Sequence, residues 1–375
     1  MRPTTRMVPV TGIVLLGLLL IAGMTRVALS QGPIVVTGTP PDACTDCITI
    51  TPTVTLGTDD DRGFLTASGA VAMDSLGRYW VAQMEDGIKV FGSDGQYERM
   101  YGRAGRGPGE FGNPFVMISR HDTVHIFDTR TARHTVVTTG FRILHESSFV
   151  GPVFSVAVMD SGGVALNIAS RLPQLIGLPI HLVPPLGGAI IRSFGADSAE
   201  YFNARASWPG RRALAPGGGM TVWVARRQAY RLQLWDTATG RKRREIVRDV
   251  DWFEPYDDWL ALSKDRLPFP YIEQIYRDDA GRLWVLVTIG DPGWADHLEP
   301  YILPDGRNLP QPASWDGVYD TIVEVFDPDS GKLLATQRIP VMLIGHVEGD
   351  LVISRSETPK GGFQLRVWRM ALTQP

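Results

Sequence analysis

The sequence predicts an all-β fold, a six-bladed β-propeller of four-stranded antiparallel blades whose ring is closed by an N-terminal strand. Three observations carry that expectation. Asp74-Ser75-Leu76-Gly77-Arg78-Tyr79-Trp80-Val81 and Asp278-Asp279-Ala280-Gly281-Arg282-Leu283-Trp284-Val285 are one motif written twice, a polar glycine turn leading into an alternating, aromatic-tipped strand. Short Val, Ile, Trp and Phe runs with two-residue alternation, cut by Gly, Pro and Asp, fill most of the remainder, and helical periodicity is almost absent past residue 30. Weaker copies of the motif recur between and after the two clear ones, as a radial repeat requires.

The N-terminal segment is set apart from the repeats. Arg2 and Arg6 precede an uncharged, largely apolar run from Val8 to Met24, which ends near Ala28-Leu29-Ser30. The small residues Ala28 and Ser30 suit a signal peptidase, so residues 1–30 read as a secretory signal peptide and the mature protein as secreted or periplasmic, with no stable membrane insertion. The alternative is an uncleaved anchor, since the 17-residue run is near the lower limit for a span. No cysteine stands directly after the run, which argues against a lipid anchor.

Residues 31–47 read as a linker carrying Cys44-Thr45-Asp46-Cys47, whose Cys44 and Cys47 are the only cysteines of the chain. In an exported protein such a pair reads as a local disulfide. A redox centre would place it at a helix N-terminus, whereas here the flanks Pro40-Pro41 and Ile48-Thr49-Ile50 are extended. Two cysteines without further ligands do not make a tetrahedral zinc site.

The propeller then occupies residues 48–372. Second strands centre near Trp80, Ile126, Leu166, Trp223, Trp284 and Val352, with gaps of 46, 40, 57, 61 and 68 residues. A bare blade needs about 40–45 residues, so the later gaps carry extra loop. Third strands read as Ile88-Lys89-Val90-Phe91, Leu232-Gln233-Leu234-Trp235 and Val323-Glu324-Val325-Phe326, each followed by an Asp/Gly turn. The last unit has Leu365-Arg366-Val367-Trp368 as its third strand and only seven residues after it. A three-stranded blade would expose a bare edge. Residues 48–57, Ile48-Thr49-Ile50 through Val54-Thr55-Leu56, are an orphan strand that fits the vacant place.

Gly102-Arg103-Ala104-Gly105-Arg106-Gly107-Pro108-Gly109-Glu110-Phe111, followed by Asn113-Pro114, resembles the inter-blade linker of NHL-type six-bladed propellers. With the Asp-x-x-Gly-Arg-x-Trp-Val strands, the resemblance covers about residues 50–370. Its chemistry is structural, because glycine permits positive φ and proline fixes the next turn. No helix follows the glycine run and no Gly-Lys-Ser/Thr is present, so it is not a phosphate loop. The resemblance implies either a ligand-binding or protein-interaction scaffold, or an enzyme of the lactonase or lyase type with metal ligands around the central channel. It identifies no catalytic residue in this sequence.

Strand order assigns the insertions to a face. In a four-stranded blade, the second-to-third connection and the link to the next blade emerge together. Residues 169–179, 195–212, 249–270 and 290–320 all fall in that set, and function collects on loops held by a rigid scaffold. The third of these carries Trp252, Glu254, Tyr256, Asp257, Asp258 and Trp259; the fourth carries Trp294, Asp296, His297, Glu299, Trp315 and Asp316. Rings beside carboxylates suit a cationic or sugar ligand, or a hard cation such as calcium. The competing reading is that the rings pin long loops while the acids face water. His121, His125, His134 and His145 fall on one blade and read as packed structural histidines rather than a metal pocket, whereas His297 sits in the acidic insertion as a candidate ligand or base.

Without residues 1–30 the chain has 34 basic and 40 acidic residues, a net charge of −6. That balance argues against nucleic acid as a partner. No serine nucleophile elbow, HExxH or CxxCH motif is present. Two functions remain open: a monomeric scaffold that binds a small molecule, glycan or protein on the loop-rich face, or a metal-dependent hydrolase or lyase with calcium or zinc held by carboxylates at the channel.

Overall fold

The computed structural model describes residues 32–58, 62–66, 69–84, 86–168, 172–196, 210–257 and 261–373. The expected signal segment lies outside them, as do most of the 195–212 insertion and two of the candidate site residues, Asp258 and Trp259.

The repeated motif is a side-chain device as well as a strand signature. Gly77 takes a φ of 79° and lets the chain turn back on itself. The buried Asp74 carboxylate then accepts hydrogen bonds from the Leu76 and Arg78 backbone N–H groups, the Arg78 guanidinium at 2.7 and 2.9 Å, and the Trp80 indole at 2.9 Å. Asp278 repeats the arrangement, accepting from Arg282 Nε at 2.6 Å and from the Trp284 indole at 2.8 Å. One carboxylate therefore fixes the turn, neutralises the arginine and orients the tryptophan that packs into the core. Arg78 and Trp80, and their counterparts Arg282 and Trp284, are structural.

Among the described residues, six blades each contain four antiparallel strands in ladder order. Blade 1 runs Val71–Met73, Tyr79–Gln83, Gly87–Phe91 and Tyr97–Tyr101. Blade 5 runs Tyr271–Arg277, Leu283–Gly290, Tyr319–Phe326 and Leu333–Ile339. Blade 6 takes Leu343–Glu348, Leu351–Glu357 and Phe363–Leu372 from the C-terminal region, and its outer strand is Ile48–Leu56. That strand pairs antiparallel from Ile48 opposite Leu372 to Leu56 opposite Leu365, which closes the ring as the sequence predicts. Pro52 interrupts it at a register shift, tolerated because the strand is at the sheet edge.

The segment ahead of the closing strand also pairs. Ile34–Thr37 adds a fifth, parallel strand to the outer edge of blade 4, with Ile34 opposite Ile246. Cys44 bridges Ala335 on the outer strand of blade 5, donating its N–H to Leu334 O at 2.9 Å and accepting from Thr336 N at 2.9 Å. Cys47, joined to Cys44 by a disulfide, accepts from the Thr373 backbone at 2.8 Å. The stretch read from sequence as a linker is thus a strap across the rims of blades 4, 5 and 6. Its polar, Pro-rich composition hid this, because a rim strand needs only backbone groups to pair.

The core lies in layers between blades. Trp80 of blade 1 stacks on Phe141 of blade 2 at 5.1 Å. Trp284 and Tyr276 of blade 5 stack at 5.8 Å, and Tyr276 in turn stacks on His346 of blade 6 at 4.1 Å. Trp80, Trp223 and Trp284 are all essentially inaccessible. The inter-blade run 102–111 is held by Glu110, which accepts from the Arg106 and Gly107 backbone at 2.9 and 2.7 Å and from Arg103 Nε at 2.9 Å. Its role is the structural one expected.

Candidate functional site

First strands line the central channel, and a cavity of about 770 Å³ opens there. Its walls include residues just before first strands, such as Arg211 and Met342, and residues just after second strands, such as Met84 and Arg227. The topology puts all of these at the end from which the long insertions emerge. The cavity therefore opens on the loop-rich face.

The mouth is built around cations. Arg227 follows the second strand of blade 4 and pairs with Glu273 on the first strand of blade 5. Its guanidinium lies over the Tyr271 ring, 5.1 Å from the centroid. Arg211, directly before the first strand of blade 4, lies over Phe154 of blade 3 at 4.7 Å. Arg355, in the second strand of blade 6, lies over Phe363 at 5.1 Å. Arg211, Arg227, Glu273 and Arg355 all face the same cavity. Beside them, at the same end, the wall also has apolar members, with Phe115 and Met84 keeping 44% and 55% exposure.

Burial and mutual repulsion shape the protonation of this cluster. Burial raises the Glu273 carboxyl above its usual range, against the lowering influence of Arg227 and Arg211. Burial and then the like charge of Arg227 lower Arg211, with Glu273 opposing. Burial likewise lowers Arg355, opposed by the exposed Glu357 and Asp316. Burial raises the Tyr271 hydroxyl strongly and the Tyr319 hydroxyl to about 12, so both are neutral donors near neutral pH.

Aromatic rings connect this mouth to the insertions. Trp315 stacks on Tyr319 at 6.0 Å, and Tyr319 meets the Tyr271 ring edge-on at 6.4 Å. Tyr256 stacks on Phe269 at 4.4 Å, and Arg266 lies 4.6 Å over that same Phe269. The Tyr256 hydroxyl is buried and has no hydrogen-bond partner among the described residues.

The expected site residues divide accordingly. Tyr256, Trp315 and Asp316 lie in the ring of contacts around the mouth, Asp316 through its charge on Arg355. Trp252 packs edge-on against Tyr230 at 6.1 Å, and the Trp294 indole donates to Ser263 O at 2.9 Å, so these two rings pin their loops. Asp257 pairs with Arg226 at 3.2 Å on the surface. Glu254, Asp296, His297 and Glu299 are exposed, and His297 lies so close against Gly317 that an added Cβ there would clash with its ring. Asp258 and Trp259 lie outside the described residues. The arginines, Glu273 and Tyr271 were not singled out by the sequence. The signal available was positional: Arg211-Arg212 and Arg226-Arg227 flank the first two strands of blade 4 at their loop-rich ends.

The calcium or zinc of the enzymatic alternative needs a convergent donor set. Among the described residues, no three His, Cys, Asp or Glu side chains come together in that way. Guanidiniums occupy the mouth instead, and they do not suit a cation. His125 and His134 do meet, ring nitrogens 3.1 Å apart, but inside blade 2, with His134 stacked on Phe127 at 4.2 Å.

Comparison with known proteins agrees with the architecture. No family model matches the chain, and no curated protein matches it either. Among solved structures, it is similar to a member of the DUF4221 family from Bacteroides vulgatus, with a TM-score of 0.57, 9% identity, 88% of this chain and 100% of that one covered. It is also similar to a Bacteroides fragilis protein whose name marks it as a candidate for export, with a TM-score of 0.54, 11% identity, and 92% and 100% of the two chains covered. At that identity the likeness concerns the fold alone. Among the described residues, no helix is long and apolar enough to cross a membrane.

Proposed function

We propose that this protein is an exported binding module that holds a small molecule in the channel mouth of its loop-rich face. The observation that carries the reading is the cavity of about 770 Å³, lined by both charged and apolar side chains, beneath insertions that reach it through stacked rings. Ligand sites have that size and that mixture of polarity. Tyr271 and Tyr319 back the mouth behind Arg227, while the four-stranded blades hold the walls rigid. The Arg2, Arg6 and Val8–Met24 pattern supports export, and the 102–111 linker with its repeated strands supports kinship with NHL-type propellers.

The test is a thermal-shift screen of the purified protein, from residue 31 onward, against metabolite and glycan libraries. Ligands of the channel raise the melting temperature of the wild type, since binding the native state adds RT ln(1 + [L]/Kd). Phe115→Glu, placed in the cavity on a ring already 44% exposed, abolishes that shift while leaving the unliganded melting temperature in place. Ligands that stabilise both proteins equally, or a library without any stabilising compound, would overturn the reading.

A further inference from the structure

We infer that the channel mouth is an oxyanion cradle and that the ligand it takes is an organic anion, with a carboxylate or phosphate at the arginines and an apolar body against Phe115 and Met84. This rests on the binding reading above and gives it a chemical class.

The first support is the setting of charge. Among the described residues, three guanidiniums and one carboxylate, Glu273, line this end of the cavity, in a chain whose net charge past residue 30 is −6. The second acid of the cavity wall, Glu348, ends the first strand of blade 6 and so lies toward the opposite face. Asp316 and Glu357 act on Arg355 from exposed positions, where water screens them. Arginines at the mouth of a low-dielectric channel focus a positive potential into it.

The second support is preorganisation. Each of the three guanidiniums lies over an aromatic ring, Arg211 on Phe154, Arg227 on Tyr271 and Arg355 on Phe363, at 4.7, 5.1 and 5.1 Å. Ring stacking holds the planar cation flat and leaves its N–H groups directed around the edge, the geometry that meets carboxylate or phosphate oxygens in pairs. The rings come from blades 3, 5 and 6, so the arginines are fixed from three directions. Less side-chain freedom remains to be lost when a ligand arrives.

The third support is the Arg227–Glu273 pair. Glu273 is the internal anion of the mouth, and burial already raises its carboxyl. An incoming carboxylate would compete with it for Arg227. That relation separates a ligand cradle from a scaffold ion pair: in a cradle, removing the arginine and removing the glutamate act on binding in opposite directions.

The experiment is isothermal titration of the protein with decanoate, decyl phosphate and the uncharged decanol. The expected result is that at least one of the two anions binds and decanol does not; carboxylate-only or phosphate-only binding identifies the head group. Arg227→Met and Arg355→Met each weaken the anion by about tenfold or more, the usual scale for a charged hydrogen bond. Arg355→Met keeps the Arg227–Glu273 pair and covers the case in which Arg227→Met fails to fold. Glu273→Gln tightens the anion. Arg226→Met, the same charge change one residue outside the cavity wall, leaves it unchanged. Equal binding of decanol, an affinity indifferent to the arginine variants, a loss on Glu273→Gln, or no binding of either anion would each overturn the cradle. If, in any of those cases, uncharged compounds from the library still stabilise the wild type and not Phe115→Glu, the binding reading stands without it.

Discussion

The Arg248 guanidinium grips the Glu324 carboxylate with Nε–Oε2 and Nη2–Oε1 distances of 2.9 and 2.8 Å, both side chains sealed from solvent at 1% and 0% exposure. The pair joins the outer strand of blade 4 to the third strand of blade 5. Tyr230 donates to Glu324 at 2.7 Å, and Arg248 Nη1 donates to Val36 O at 3.0 Å and also reaches Gly38 O. One arginine thus ties two blades to the N-terminal strap. Breaking such a pair from one side leaves a buried charge, so Glu324→Gln lowers stability by about 3–5 kcal/mol. The double variant Arg248→Met/Glu324→Leu costs much less. Urea unfolding of the three proteins measures both, and equal losses in single and double variants would contradict the account.

The closing strand carries the integrity of the ring. Deleting residues 45–57 removes the outer ladder of blade 6 and lowers the melting temperature of the whole propeller in one transition. Calorimetry checks this; an unchanged melting temperature would show that the Ile48–Leu56 pairing is dispensable.

The Cys44–Cys47 disulfide closes a very short loop. Loop-closure entropy at that length stabilises by about 2 kcal/mol at most. Reduction by dithiothreitol should therefore shift the urea midpoint modestly without unfolding the protein, because Cys44 stays paired to Leu334 and Thr336 through its backbone.

Acid should weaken the fold before most carboxylates titrate. Burial lowers His125, His181 and His346 to about 4 and His134 to about 3. The unfolded chain takes up these protons near pH 6.5 and the native state does not, so this contribution is full above pH 6.5 and is lost as pH falls toward 4. The slope is up to about 1.4 kcal/mol per pH unit for each imidazole. The adjacent His125 and His134 titrate as a pair. Glu273, Asp320 and Glu348, raised by burial, act in the opposite sense. His346→Phe, which keeps a ring on Tyr276, isolates one histidine's share and flattens the profile. Urea midpoints at pH 7.5, 6.5 and 5.5 test it; identical slopes in variant and wild type would refute it.

The repeated motif gives a stability prediction with its own control. Asp278→Ala strips Arg282 and the Trp284 indole of their shared acceptor and costs about 1–3 kcal/mol. Trp284→Phe removes one of those donors and some buried surface but leaves the Asp278–Arg282 pair. If thermal unfolding shows Asp278→Ala to be silent, the carboxylate is not what organises the turn.

The blades were legible in the sequence because their requirements are local. Asp278, Gly281, Arg282 and Trp284 sit within seven residues and satisfy one another, so the pattern survives without knowledge of the rest of the fold. Ring closure was legible for a different reason, an unpaired strand at one end and an unfilled place at the other. The channel mouth was not. Arg211, Arg227 and Arg355 come from three separate stretches of two blades, and nothing local marks them as facing one cavity. Trp252 and Trp294 are conspicuous in the insertions, but their rings are spent on Tyr230 and Ser263. A charged residue becomes interpretable only once strand direction says which end of the channel it occupies.

The pairing of Ile48 with Leu372 sets the order in which this molecule can be completed. Contacts separated by so much chain form late, because the entropy of closing the long loop must be met before the ladder is made. Blades 1 to 5 can build their inner strands as the polypeptide lengthens, while the rim of blade 6 waits for Phe363–Leu372. A chain without Phe363–Leu372 therefore lacks its seal, although its strap can already pair with blades 4 and 5.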